Sequence, residues 1–364
     1  MPRSKAHGTV VLAATLAAST TIAIAGCAGG SSGAGQPSGQ QGAATAGNNA
    51  AAGGNSSQLT IAVGGQSALV YLPVTLAQQL GYYKQAGVDP KLLNFDGGSK
   101  AIEAMLGGSA QITATSYDHA IQLQGKHKDV SCFVNYLALP SLVLAVSPKH
   151  RNEVSSIADL KGKPVGVTAP GSGTEFFLDH LLGKAGMKSD SVSIVAVGVG
   201  STAVSAMEQG KVYAAVMAEP DVTVTKSRAG GQLRLLADAR TKQGTEQAMG
   251  VSNYPFTCLT APNDWLKQNP DTARKLASAI VKTLTWIRTH NAQQIAAKMP
   301  PEFVGDKPSL YAKAVNNTKP GFDTNGAVTK QGAQAVLKQL VSGGVVSNDI
   351  DLSKTYTNQY LPQQ

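Results

Sequence analysis

Residues 165–178, VGVTAPGSGTEFFL, read as a short apolar strand, a glycine loop and the first turns of a helix. Ser172 and Glu175 have the S-x-x-E spacing of a capping box, in which the hydroxyl takes an N–H of the first turn and the carboxylate returns to the cap residue. Gly171 and Gly173 allow backbone to approach closely. Free amides at the positive end of a helix dipole suit an anion or a polar oxygen, although Glu175 opposes a full negative charge there. The loop lacks the Lys of a P-loop and the third Gly of a dinucleotide fingerprint, so it is not read as a nucleotide-phosphate site.

The same unit occurs twice. GSKAIEAM at residues 98–105 matches GSTAVSAM at residues 200–207, and each is followed by a glycine, Gly108 or Gly210, and an apolar strand, residues 110–115 or 212–218. Each block reads as a Ser-capped helix, a glycine stop and a buried strand. Upstream, residues 59–65, a helix over 70–80 and the turn 81–87 parallel residues 164–171, the helix from Gly173 and the turn 183–186. Alternating strands and helices predict an α/β chain with two mostly parallel sheets and right-handed crossovers. Ligands of such sheets bind outside the carboxyl ends of the strands. Two lobes facing across those ends enclose a cleft between residues 64–67, 97–99, Ser116 and Tyr117 of the first and residues 170–174, 198–201 and Glu219 of the second.

The lobes are joined by residues 139–141, which lead into a strand over 142–146, and by a return over 249–256. The expected boundaries are 59–146 plus 256–364 for the first lobe and 147–255 for the second, hinge crossings included. A strand over 257–260 rejoins the first lobe. An amphipathic helix then runs from Pro270 to His290 with Leu276, Ile280, Leu284 and Ile287 on one face. Trp265 and Trp286 are read as core packing for these helices, and a last helix spans 329–341.

Residues 1–27 carry Arg3 and Lys5, an apolar run and then Ile24-Ala25-Gly26-Cys27, the layout of a secretory signal. Residues 28–58 are Gly, Ala, Ser, Gln and Asn with one Pro, one Thr and no charge, a composition that reads as a flexible tether. The formal charge of +9 becomes +7 once Arg3 and Lys5 leave (9 − 2), and the basic residues are scattered rather than clustered, which argues against a nucleic-acid face. Of the three cysteines, Cys132 and Cys258 lie in apolar strand-like runs, and two readings stand: a disulfide or two buried free thiols. Neither has a His or Cys at metal-ligand spacing.

Several motifs together carry a family resemblance. The small residues ahead of Cys27 resemble a bacterial lipobox, which implies a lipid on Cys27 and an anchor at the outer face of a membrane. YLPVTLAQQLGYYKQAGVD, GGSKAIEAMLGGSAQIT, SIADLKGKPVGVTAPGSGTEFFL and AVSAMEQGKVYAAVMAEPD, in that order, resemble the solute-binding proteins of ABC importers in the nitrate, taurine and alkanesulfonate group. That group shares a fold with binding proteins for the thiamin pyrimidine precursor. The resemblance implies a type II periplasmic-binding fold whose lobes close on a small ligand, an ABC permease and ATPase as partners, a monomer, and neither cofactor nor metal. It places ligand contacts at Gly65, Gln66, Ser67, Gly97, Gly98, Ser116, Tyr117, Ser172, Gly173, Thr174 and Glu219. Backbone N–H groups and hydroxyls at residues 172–174 suit a sulfonate, nitrate or carboxylate oxygen. Gln66 suits either end of a zwitterion, and Tyr117 offers an aromatic wall. Glu219 has two readings, an acceptor for a ligand ammonium or a partner for a Lys or Arg across the hinge. Together these features point to an organic oxyanion of the alkanesulfonate or taurine type, with nitrate, bicarbonate or a thiamin-type pyrimidine as alternatives. The fungal pyrimidine synthases resemble the same group, but their cysteine run is missing here, and His119 beside Asp118 is the one candidate pair near a cleft strand end.

Overall fold

The computed structural model describes residues 58–363. The signal segment, Cys27 and nearly all of the tether lie outside the described residues. Ten strands form two five-stranded sheets. In the first, β1 (Thr60–Val63) pairs in parallel with β2 (Lys91–Asn94) and β3 (Ile112–Ser116). β10 (Thr257–Pro262) runs antiparallel between β3 and β4 (Val130–Asn135). In the second, β6 (Pro164–Val167) pairs in parallel with β7 (Ser193–Ala196) and β8 (Ala214–Ala218). There β5 (Leu142–Val146) lies antiparallel between β8 and β9 (Leu235–Asp238). The spatial orders β2-β1-β3-β10-β4 and β7-β6-β8-β5-β9 are the same, which is the repeat seen in the sequence.

The repeat has one exchange in it, and this corrects the expected boundary at residue 146. β5 belongs to the second sheet, so the first crossing is at residues 139–141 and residues 142–146 leave the first lobe. Each lobe completes its sheet with the antiparallel strand that follows a crossing. β1, β3, β5 and β8 are buried along nearly their whole length because helices cover both faces.

Three helix starts differ from expectation. The helices Gly98–Leu106 and Ser201–Gln209 begin after Gly97 and Gly200, not on capping serines. Gly200 has φ +72°, which only glycine adopts without strain, and Ser99 Oγ instead donates to Pro170 O on the other lobe at 2.8 Å. The expected helix over 70–80 is one 3₁₀ turn, Leu69–Tyr71, followed by Leu72–Gln79, with Pro73 in its first turn where a missing N–H costs nothing.

Helix Pro270–Thr289 buries Leu276, Ile280, Leu284 and Ile287 as its spacing predicts. Trp265 and Trp286 are only partly buried, Trp286 stacking on His290 at 3.8 Å. The C-terminal helices touch both lobes rather than the first alone: Pro308–Thr318 packs on Asp221–Arg228, and Lys330–Ser342 on Gly173–Lys184. Cys132 and Cys258 lie on the neighbouring strands β4 and β10 as free, buried thiols, not a disulfide. Burial pushes the Cys132 thiol well above its ordinary range.

Candidate functional site

The carboxyl ends of the parallel strands converge between the lobes around a cavity of about 30 Å³. From the first lobe it is lined by Gly64 after β1, Tyr71, Gly98, Ser116 at the end of β3, and Phe256. From the second come Thr168 after β6, the helix start Ser172-Gly173-Thr174, Gly198 and Val199 after β7, and Ala218 and Asp221 after β8. Ala, Val, Leu and Met side chains supply the rest of the wall.

Five of the residues expected at the site line this cavity: Gly98, Ser116, Ser172, Gly173 and Thr174. Gly97 lies at the seam, where an added Cβ would come 2.7 Å from Ala169 Cβ of the other lobe. Gly65, at φ +126°, faces Val199 across the same seam. Ser67 sits beside Gly200 and does not line the cavity. Gln66 turns back into its own lobe, its N–H donating to Asn94 Oδ1 at 2.6 Å and its Nε2 to Thr75 Oγ1 at 3.1 Å.

Tyr117 and Glu219 are not cavity walls. Tyr117 is buried in the first lobe with its hydroxyl 2.6 Å from Thr355 Oγ1, and Tyr71 presents the aromatic ring instead. Glu219 is buried and fully engaged: Oε1 accepts from Arg240 Nη1 at 2.6 Å and Asn317 Nδ2 at 2.9 Å, and Oε2 from the Thr223 N–H at 3.0 Å. Its cation comes from its own lobe, since Arg240 follows β9, while Asn317 reaches it from the C-terminal helices.

The capping box is replaced by a tighter arrangement. Ser172 Oγ donates to Ala169 O at 2.6 Å and lies 2.8 Å from both Thr168 Oγ1 and Thr174 Oγ1. Glu175 Oε2 accepts from the Gly171 N–H at 2.6 Å, one residue short of the cap. The Gly173 and Thr174 amides make no hydrogen bond among the described residues and remain the free donors of the helix start. On the opposite wall, Ser116 Oγ donates to Asp118 Oδ1 at 2.5 Å and lies 2.9 Å from His119 Nδ1. His119 Nε2 is buried without a partner. A nucleophile relay needs the serine proton on the imidazole and the carboxylate on the other ring nitrogen. Here the carboxylate takes the serine proton directly.

Asp221 was not among the expected contacts, although it closes the Glu219-Pro220-Asp221 run. Its one sequence signal is an acidic residue in a helix first turn, a common and unspecific pattern. In the structure it starts the helix Asp221–Arg228, and its Oδ2 accepts from the Gly200 N–H at 2.8 Å. Oδ1 makes no hydrogen bond among the described residues and keeps accessible surface, and the residue lines the cavity. Burial, with the Glu219 charge added and the Gly200 N–H opposing, pushes the Asp221 carboxyl up to about 7.

A family model described as NMT1/THI5 like matches residues 69–294. The chain belongs to the NMT1/THI5-like family. A structure from Bordetella bronchiseptica RB50 is 34% identical, with a TM-score of 0.79, over 83% of this chain and 95% of that one. A Brucella abortus protein named as a binding protein is 25% identical over 294 residues, 79% of this chain and 86% of its own. The alkanesulfonate-binding protein SsuA from Xanthomonas axonopodis pv. citri, bound to MOPS, superposes with a TM-score of 0.66 at 15% identity, over 83% of this chain and 98% of that one. A 4-amino-5-hydroxymethyl-2-methylpyrimidine phosphate synthase of Saccharomyces cerevisiae is 23% identical over 234 residues, 64% of this chain and 67% of its own. The fold is that of periplasmic binding proteins, two mixed-sheet lobes, as expected. Among the described residues no helix is long and apolar enough to cross a membrane.

Proposed function

We propose that this chain is the extracytoplasmic solute-binding component of an ABC importer, which captures a small organic oxyanion of the alkanesulfonate or taurine type and delivers it to a permease. The observation that carries the reading is a cavity lined from both lobes, with the free Gly173 and Thr174 amides on one wall and Ser116 on the other. An oxyanion head fits the amides, where the helix dipole adds to two hydrogen bonds. A ligand that touches both lobes favours the closed form, because only closure satisfies both sets of contacts. In this reading Cys27 carries the lipid, residues 28–58 are the tether, and the receptor works as a monomer beside its permease and ATPase.

Thermal unfolding of the protein against taurine, alkanesulfonates, nitrate, bicarbonate and thiamin-type pyrimidines tests it. A ligand at a hundred times its dissociation constant adds about 2.7 kcal/mol, a shift of several degrees. A shift from one class alone, lost in Ser172→Ala, is the expected result. Conversion of a panel member to product, dependent on His119, would instead favour an enzyme on this fold. Folded protein that responds to nothing would count against a receptor.

A further inference from the structure

Among the described residues lining the cavity, Asp221 is the one with a charged side chain. The nearest cation is not available to an anion in the cavity: Arg240 spends Nη1 on Glu219 and Nε and Nη2 on Asp238, at 2.6–2.8 Å. The serine protons are spent as well. Ser116 gives its proton to Asp118 and Ser172 gives its proton to Ala169 O, so both oxygens offer lone pairs, not donors. Thr174 Oγ1 already accepts from the Thr168 N–H at 3.0 Å and is held among Thr168 and Ser172. Apart from backbone amides and the Tyr71 hydroxyl, which makes no hydrogen bond among the described residues, the polar wall is therefore an acceptor surface built around a carboxylate with one open oxygen. A buried carboxylate facing nothing is costly, and a ligand nitrogen carrying a proton is what relieves it.

We propose that Asp221 is the specificity-determining residue of the site: its Oδ1 accepts from a protonated amine on the ligand, and the cleft rejects the same ligand with that nitrogen removed. This rests on the receptor reading above and sharpens it, from an oxyanion in general to a zwitterion with an ammonium on the Asp221 side and its oxyanion on the Gly173 and Thr174 amides. Glu219, the acidic residue that the sequence brings forward, takes no part in this because its oxygens are already paired.

The matched ligands are 2-aminoethanesulfonate, ethanesulfonate and ethylammonium, titrated calorimetrically into the full chain and into Asp221→Asn and Asp221→Ala. Further amine-bearing and nitrogen-free solutes, each with its deaminated or aminated partner, extend the set. A site built to accept a hydrogen bond from a ligand N–H rejects the analogue lacking that group by a large factor, so the amine-bearing member of the binding pair should bind at least 100-fold more tightly than its partner. In both Asp221 variants that ratio should fall below about tenfold, with far-ultraviolet circular dichroism unchanged. A merely structural role for Asp221 would weaken both members of the pair equally and leave the ratio intact, which overturns the proposal. So does tight binding of a nitrogen-free solute to the unaltered protein, a result that leaves the receptor reading standing. Folded protein that binds no member of the set overturns both.

Discussion

Gly173 of the second lobe seats against Ser116 of the first so closely that a methyl group on Gly173 would overlap the Ser116 hydroxyl. The contact joins the free helix start on one wall to the Ser116–Asp118–His119 cluster on the other, across the two lobes. Gly173→Ala should therefore hold the lobes apart without disturbing either sheet. Overpacking of this kind costs about 1–3 kcal/mol, so affinity for the solute should fall roughly 10- to 100-fold. Small-angle scattering should report a larger radius of gyration. An unchanged radius and affinity would mean that closure does not pass through this contact.

The Glu219 carboxylate is held by Arg240, Asn317 and a backbone amide, so removing the cation strands a buried charge. Arg240→Ala should cost about 3–5 kcal/mol in urea unfolding, the range for breaking a buried ion pair from one side. The double variant Arg240→Met with Glu219→Leu should recover much of that loss, since the penalty lies in the unpaired ion rather than in a missing bond. A single variant as stable as the unaltered protein would place Glu219 in contact with water.

Asp221, with its carboxyl pushed up to about 7 against an ordinary 3.8, makes the ligand-free protein pH-sensitive. The folded state holds this proton more tightly than the unfolded chain. Its contribution is thus fully present below about pH 4 and is lost as pH rises through about 7. Asp179, raised to about 6 mainly by burial, acts in the same direction from the middle of its helix. Urea unfolding between pH 4 and 8 should show Asp221→Asn with a flatter fall than the unaltered protein, and with higher stability at pH 8. Identical profiles would remove Asp221 as a buried acid.

Cys132 and Cys258 are buried free thiols, and burial keeps Cys132 protonated. Neither should react with a disulfide reagent in the native state, and denaturation without reductant should release two further reactive thiols. Release of none would mean that they pair during export.

The Glu219-Pro220-Asp221 run marks where reading the sequence reaches its limit. An acidic residue at a strand end was visible at Glu219, but which of the two carboxylates faces the cavity depends on Arg240 and Asn317. These are distant in the chain, and neither belongs to a motif. Tyr117 failed for a similar reason. It lies at the right strand end, yet Thr355, from the far C-terminus, takes its hydroxyl and Tyr71 occupies the wall.

The boundary at residue 146 also escaped the repeat, because the sheet that β5 joins is decided by its partners β8 and β9, which come much later in the chain. The capping serines were legible as helix starts, but the caps are Gly97, where the other lobe leaves no room for a Cβ, and Gly200, whose positive φ suits glycine. The two strand-helix repeats, the glycines at their strand ends and the position of the cleft were determined by the sequence alone, since hydrophobic period, glycine and proline act within a few residues of one another. Closure, the pairing of Glu219 and the open oxygen of Asp221 were decided only by tertiary structure, because a buried charge takes its partner from whatever the fold brings within hydrogen-bonding distance, however far along the chain that partner lies.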